Sequence, residues 1–239
     1  ETSLRWGRYS FISYDPAIIV RVQSGSVQVA GPGAPGAYSG AGTVRALKTL
    51  VNAYAVPPHL CGGLPRFFGG LVGYLGYELV HELEPTVPRP ARTDFPGLPD
   101  SCLVFNRMVV VFDHYLNRIQ IVALTLPDGD PDGEYRRAAA SIASAVRRIE
   151  STVSVARHLP VPPQVPVSAL LKGYRASCSR AQYERVIRRA VEYVRRGDVV
   201  QVLPSRRLSR RTTADPFDMY RALRMVNPSP YMFFLQLGD

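Results

Sequence analysis

One polar side chain interrupts an otherwise apolar run in the last quarter of the chain. Gln201 lies within Val199–Leu203, and the pattern predicts a strand over Val199–Leu208. A buried amide without a partner costs about 1–3 kcal/mol, so this side chain is expected to face a partner or a cavity. A strand-edge glutamine that bonds to backbone is the structural alternative. Gln201 is the first candidate for a functional side chain.

A rigid turn over Asn227–Met232 (NPSPYM) is the second candidate. Pro228 and Pro230 resist the helical conformation and fix an extended backbone with exposed carbonyls. Tyr231 and Met232 follow at once, and rigid backbone beside an aromatic ring and a thioether suits a small amphipathic ligand. The alternative is a helix-to-strand turn that places Tyr231 in the core.

Other reactive side chains do not form an obvious site. The four histidines lie far apart in the sequence and without a neighbouring nucleophile, which favours surface positions: His59, His81, His114 and His158. The three cysteines show no zinc spacing and favour a reducing cytoplasm: Cys61, Cys102 and Cys178. Glu78 and Glu82 share a helix face, so an acid/base or metal pair is possible in principle, but a solvated face is favoured.

The segment Gly69–Tyr77 (GGLVGYLGY) is rich in glycine but does not match a nucleotide motif. Its glycines differ in spacing from the G-x-G-x-x-G pattern, and no lysine completes a phosphate loop. Glycines within an apolar strand instead predict close backbone approach or a bulge.

The net charge of +10 raises the alternative of a basic nucleic-acid binder. Every basic residue except Lys48 and Lys172 is arginine, which indicates a compositional bias rather than a phosphate-binding surface. We therefore expect no nucleic-acid partner. No apolar run reaches 18 residues and no signal segment opens the chain, so we also expect no membrane span.

The order of predicted elements favours an α+β fold with antiparallel sheets flanked by helices. Strands dominate the first part, with turns predicted at Asp15–Pro16 and Ser24–Gly25 and a hairpin at Asp113–Asn117. The predicted helices begin at Thr43, Glu134, Ser179 and Asp215. The first helix has an apolar stripe of Val44, Leu47, Leu50, Val51 and Tyr54, and the third opens with a capping box at Ser179–Gln182 and ends at Gly197. A further strand is predicted over Tyr231–Leu237. A proline-rich stretch marks a boundary, so we predict domains at 1–152 and 179–239, joined by a linker at 153–178. The chain starts with Glu1 and ends in a predicted strand, so we expect a fragment whose second domain is truncated.

Four segments in this order carry a resemblance to a known family. They are Arg8–Ile12 (RYSFI), Gly69–Tyr77 with the later Glu84–Pro85, Gly197–Ser209 (GDVVQVLPSRRLS) and Asn227–Phe234 (NPSPYMFF). The chain resembles the N-terminal part of anthranilate synthase component I, a family of chorismate-utilising enzymes. The resemblance implies an incomplete chorismate-binding α/β sandwich.

The resemblance also implies a function. The full-length enzyme is expected to convert chorismate and ammonia to anthranilate and pyruvate in tryptophan biosynthesis, with Mg²⁺, and to be inhibited by tryptophan. A partner glutamine amidotransferase subunit is expected to supply the ammonia, in the cytoplasm. The Mg²⁺ ligands are expected after Asp239, so this fragment is expected to be inactive alone.

The resemblance assigns roles to five residues of this chain. Gln201 matches the catalytic position where isochorismate and salicylate synthases hold a water-activating lysine, so those two activities fit less well. Pro230, Tyr231 and Met232 match the motif that lines the allosteric tryptophan site, and Arg8 matches a basic position near that site. The alternatives are the large subunit of aminodeoxychorismate synthase and a non-catalytic tryptophan-binding module.

Overall fold

The computed structural model describes residues 7–31, 38, 42–88, 97–126, 130–151, 166, 169 and 172–237. The chain divides into two compact units, one of residues 1–155 with 229–239 and one of residues 156–228. Most of the expected linker at 153–178 lies outside the described residues, so the predicted domain limits stay a prediction. Within the described residues, no helix has the length and apolarity needed to cross a bilayer.

The first unit is built on a five-stranded antiparallel sheet with the order β2-β1-β4-β3, in which β5 also pairs with β4. The strands are β1 Tyr9–Gln23, β2 Ser26–Ala30, β3 Leu71–Leu75, β4 Ser101–Asp113 and β5 Arg118–Ala123.

β4 is the central strand of this sheet. β1 pairs along one edge of β4, from Tyr9 opposite Asp113 to Val22 opposite Ser101. On the other edge, β3 pairs with residues 101–105 and β5 with residues 108–113. The β-branched and aromatic residues of β4 are therefore buried along almost its whole length, as expected for a strand with neighbours on both edges.

The sequence predicted the β4–β5 hairpin, and the structure confirms it with a turn over residues 114–117, where Asn117 has a φ of 48°. The turn at Ser24–Gly25 is also confirmed. The turn predicted at Asp15–Pro16 is wrong, because β1 runs through this point with a register shift between Pro16 and Ile18. Asp15 absorbs the irregularity with a φ of 65°.

The helices of the first unit are α1 Thr43–Ala53, α2 Val80–Leu83 and α3 Pro131–Ser151, with 3₁₀ turns at Pro58–Leu60 and Tyr77–Leu79. α1 covers one sheet face and contributes to a core of these buried residues: Ala17, Ile18, Val20, Val22, Val27, Ala46, Leu50, Leu103, Phe105 and Leu126.

The apolar stripe predicted for α1 is only partly correct. Thr43, Ala46 and Leu50 form the buried face, whereas Val44 and Val51 are 46% and 54% exposed. The buried face therefore includes the small side chains at 43 and 46, which the apolar pattern alone did not reveal.

Close backbone packing explains two glycines of the Gly69–Tyr77 segment, Gly73 and Gly76, as the sequence predicted. A Cβ atom at Gly73 would collide with the backbone carbonyl of Cys102, and one at Gly76 with that of Asp100. A Cβ atom at Gly69 would collide with the side chain of Leu124. The segment needs glycine for backbone approach rather than for phosphate binding.

The second unit contains β6 Arg175–Ala176, α4 Arg180–Arg196, β7 Leu208–Ser209 and α5 Pro216–Val226. The predicted capping box of α4 is present, with Ser179 and Gln182 bonding to each other's backbone N–H groups. Gly197 ends α4 with a φ of 80°, and Asp215 caps α5. The local helix signals of this unit are all confirmed.

The strands predicted at Val199–Leu208 and Tyr231–Leu237 are wrong for the described chain. Only Leu208–Ser209 pairs, with β6, and residues 231–237 form no strand. A strand requires a neighbour with free backbone donors and acceptors, and sequence periodicity does not report whether a neighbour is present. The fold class itself is confirmed as α+β with antiparallel sheets and flanking helices.

Candidate functional site

Arg8 lies just before β1 and makes a two-pronged salt bridge to Asp113 at the end of β4. Its Nε donates to Oδ1 at 3.1 Å and its Nη2 to Oδ2 at 2.8 Å. The guanidinium also lies 4.8 Å from the ring centroid of Tyr9 and 5.4 Å from that of Tyr115. These contacts with a carboxylate and two aromatic rings restrict the orientation of the Arg8 guanidinium.

Asp113 is the more deeply placed partner, with only 1% of its side chain exposed. Its Oδ1 also accepts the backbone N–H groups of Tyr115 and Leu116, each at 3.1 Å. The hydrogen bond from Arg8 and those from the turn lower the pKa of Asp113 to about 2. The same bond raises the pKa of Arg8. The pair therefore joins the start of β1 to the β4–β5 turn, and the role of Arg8 near tryptophan stays a prediction.

A second contact beside this pair was missed from the sequence. Ser10 Oγ and His114 Nε2 are 2.8 Å apart, although the sequence placed His114 without a serine neighbour. The β1–β4 register explains the contact, because Ser10 lies opposite Phe112 and the chain turns just beyond it. The described residues show no carboxylate bonded to the other ring nitrogen, so the pair lacks the third member of a nucleophilic triad.

The turn at 228–232 follows α5 and leaves the tyrosine ring accessible. Pro230 is exposed, Tyr231 is 79% exposed and Met232 is half-buried. Further along, the Cys102 thiol donates to the carbonyl of Leu237 at 3.8 Å, so this last described stretch lies against β4. Burial raises the pKa of that thiol, which keeps it protonated. The structure thus places Pro230, Tyr231 and Met232 in the first unit, as it does Arg8.

Gln201 lies in the second unit and its side chain is exposed. The expected placement inside an apolar strand, facing a cavity, is not observed, because residues 201–207 form no strand. Its neighbour Val200 is 98% exposed, so the apolar character of this segment is not used for packing in the described chain. The assignment of Gln201 to a catalytic position stays a prediction.

Glu82, one of the two acidic residues considered for a metal pair, contacts the start of α1. Glu82 Oε1 accepts the backbone N–H of Val44 at 3.3 Å, so its carboxylate lies at the N-terminal end of α1, where negative charge is favourable. Among the described residues no group of three or more His, Cys, Asp or Glu side chains is placed to hold a metal ion.

Comparison with known proteins supplies the family context. The chorismate binding enzyme family matches residues 6–239. The chain is 34% identical to "Anthranilate synthase component 1" of Pseudomonas aeruginosa over 236 residues, 98% of this chain and 46% of the relative. It is 31% identical to the protein of the same name from Aquifex aeolicus, covering 100% of this chain and 47% of the relative.

A solved structure shows the same fold. The crystal structure of anthranilate synthase component I from Streptococcus pneumoniae superimposes with a TM-score of 0.71 at 23% identity, over 97% of this chain and 48% of that one. The chain spans about half the length of the curated relatives it matches.

Proposed function

Because the chain belongs to the chorismate binding enzyme family, we propose that it is part of the large subunit of an anthranilate synthase. The observation that carries this proposal is similarity to relatives named anthranilate synthase component 1 along almost the whole chain. The fold match to a solved component I structure agrees with it.

The proposed reaction joins chorismate and ammonia and releases anthranilate, pyruvate and water, as a step towards tryptophan. A glutamine amidotransferase subunit is the proposed source of ammonia, since the relatives are named as a first component. Mg²⁺ is the proposed metal, which would neutralise substrate carboxylate charge, and the described residues contain no group of three or more metal-binding side chains. The free thiols of Cys61, Cys102 and Cys178 support a cytoplasmic location.

The amide of Gln201 supports ammonia rather than water as the nucleophile. A glutamine side chain has no basic lone pair at neutral pH, so it offers hydrogen bonds but cannot take a proton from water. In the proposed enzyme, Gln201 orients a reactant through these bonds. Gln201 is exposed in the described chain, so this role requires that other parts of the complete protein enclose it.

The proposed tryptophan site uses the turn at Pro230, Tyr231 and Met232. The turn offers a proline-fixed backbone, an exposed aromatic ring and a half-buried thioether, which suit an indole ring and its polar end. Arg8 supplies positive charge in the same unit, shared with Asp113. Binding of tryptophan there is proposed to inhibit the enzyme.

An activity assay of the complete gene product tests the proposal. Chorismate, Mg²⁺ and ammonium are supplied together, and anthranilate is detected by its fluorescence. We expect fluorescence only when all three are present, and glutamine should replace ammonium only when the amidotransferase subunit is added. Absence of anthranilate under the ammonium condition would contradict the proposal.

Aminodeoxychorismate synthase is the nearest alternative, because its large subunit uses the same substrates. Ser229 with the Tyr231–Met232 pair favours anthranilate synthase. The two enzymes are distinguished by their products. Aminodeoxychorismate retains the enolpyruvyl ether of chorismate, whereas anthranilate formation releases this group as pyruvate. A non-catalytic tryptophan-binding module is the other alternative, and it requires calorimetric heat with tryptophan but no consumption of chorismate.

A further inference from the structure

A cavity of about 380 Å³ opens in the first unit, at the C-terminal end of α1 and beside the start of β3. Its walls include Leu50, Tyr54, Phe68, Gly70, Phe105 and Leu124. Arg8, Gln201 and the turn at 230–232 do not line it. The cavity is therefore separate from the residues of the proposed function.

The floor of the cavity is part of the rigid core. Ile18 and Leu50 are fully buried there, and the rings of Tyr54 and Phe105 lie 5.6 Å apart between centroids. Ile18 and Phe105 face each other across the β1–β4 ladder, which fixes their positions. A site with such a floor is formed before any ligand arrives.

Two adjacent glycines keep one wall of the cavity free of side chains. Gly70 has a φ of 122°, a backbone angle that residues other than glycine rarely adopt. A Cβ atom at this position would meet no atom within 4 Å. At Gly69 a Cβ atom would meet the side chain of Leu124, which would have to move to make room for it. Gly70 therefore leaves bare backbone facing open space just before the start of β3.

The lining chemistry selects against charge. Among the described residues that line it there is no Asp, Glu, Lys, Arg or His, and their polar groups are the Tyr54 and Thr125 hydroxyls and the backbone. An ionised ligand would lose hydration there without gaining a charged partner, which disfavours its binding. Three aromatic rings, from Tyr54, Phe68 and Phe105, instead favour a flat apolar ligand.

We propose that this cavity is a ligand site for a neutral, planar molecule of one or two aromatic rings. Its volume lies within the range of about 300–1,000 Å³ found for small-molecule sites. Chorismate is a dianion and tryptophan carries both an ammonium and a carboxylate, so neither matches. A bound ring contacts the end of α1 and the start of β3 together and so stabilises the folded first unit. The proposal does not depend on the proposed function.

Indole and indole-3-acetate are the probes, because they share one ring system and differ by a carboxylate. The complete gene product is titrated by ligand-observed NMR with excess tryptophan present, so that a tryptophan site is already filled. We expect saturable binding of indole and at least tenfold weaker binding of indole-3-acetate. Absence of saturable indole binding, or equal binding of the two probes, would overturn the proposal.

Ala53→Trp fills the cavity from its wall, and Ala140→Trp is the matched control on an exposed helical alanine of α3 that does not line it. We expect Ala53→Trp to weaken indole binding at least tenfold and Ala140→Trp to leave it unchanged. Unchanged binding in Ala53→Trp would contradict the assignment.

A second measurement on the parent protein does not depend on the folding of these variants. Indole should shift the methyl resonances of Leu50 and Leu124 and leave those of Leu223, on α5, in place. Shifts confined to Leu223, or spread equally over all three, would locate indole elsewhere and overturn the proposal.

Discussion

Asp113 shows how a single buried carboxylate can join distant parts of the chain. It accepts from Arg8 and from two backbone N–H groups of the β4–β5 turn. Asp113→Asn keeps the shape but removes the charge, so we expect the melting temperature to fall by several degrees at pH 7. Glu184→Gln is the control, because its pair with Arg180 is exposed and contributes little. Equal melting of parent and Asp113→Asn would show that the pair does not stabilise the fold.

The same carboxylate gives a pH dependence of known sign. The folded-state pKa of Asp113, about 2, lies below the value of 3.8 that is usual for an exposed aspartate. Its stabilisation is therefore fully present above about pH 4 and is lost as the pH falls towards 2. Chemical unfolding at pH 7 and pH 3 should show a smaller difference between parent and Asp113→Asn at pH 3. A difference that grows on acidification would contradict this sign.

Met232 tests the proposed tryptophan site. Met232→Thr replaces a flexible thioether with a shorter, polar, β-branched side chain at the same half-buried position. We expect the tryptophan concentration for half-inhibition to rise at least tenfold, while kcat without tryptophan changes less than threefold. Met225→Thr, on exposed α5, is the control. Inhibition that matches the parent in Met232→Thr would remove this residue from the site.

Gln201 tests the proposed choice of nucleophile. Gln201→Lys introduces a group able to act as a base, so we expect the ammonia-dependent kcat/KM to fall at least tenfold and a water-derived product to form. Gln236→Lys, at an exposed glutamine of the first unit, controls for the added charge. Kinetics and products like those of the parent would make Gln201 a structural residue.

At the scale of elements, the close packing of β3 against β4 depends on a glycine in β3, which has no side chain to separate the two backbones. A Cβ atom at Gly73 would collide with the backbone of Cys102, whereas one at Gly62 meets no atom within 4 Å. Gly73→Ala should therefore destabilise the protein by about 1–3 kcal/mol, as overpacking does, and Gly62→Ala by much less. Urea unfolding measures both. Similar midpoints for the two variants would show that the β3–β4 approach can relax without cost.

The elements also show which sequence signals were sufficient. Three helix ends depend on only a few neighbouring residues, and each was predicted correctly: the capping box at Ser179, the cap at Asp215 and the glycine end at Gly197. Val199–Leu208 had equally clear apolar character but no strand neighbour, so only its last residues pair. The signals that end a helix lie within a few residues of its end. A strand also needs a neighbouring strand that can be distant in the sequence, and a periodic apolar pattern does not show whether that neighbour is present.

The candidate sites were less predictable than the fold, for the same reason. The Arg8–Asp113 bridge and the Ser10–His114 contact each join residues more than 100 positions apart, and only the β1–β4 register brings them together. The cavity beside Gly70 likewise depends on contacts among α1, β1, β3 and β4. Motif resemblance identified the family, which the comparisons confirm, but it did not show how the side chains are engaged.

At the scale of the whole molecule, the two units differ in how much of their apolar surface is buried within the described chain. The first unit has a continuous core on its sheet. In the second, α4 and α5 contain no buried residue among those described, and Val186, Phe217 and Leu223 are exposed. Apolar helix faces of this kind are stable when further structure covers them. The proposed chemistry is therefore assigned to the complete protein rather than to these residues alone.

Labelled substrates test the central claim most directly. The complete gene product is supplied with chorismate, Mg²⁺ and ¹⁵N-ammonium in ¹⁸O-water, and the aromatic product is analysed by mass spectrometry. The account predicts ¹⁵N-anthranilate together with pyruvate. An ¹⁸O-labelled hydroxylated product, or an amine that keeps the pyruvyl ether, would contradict it.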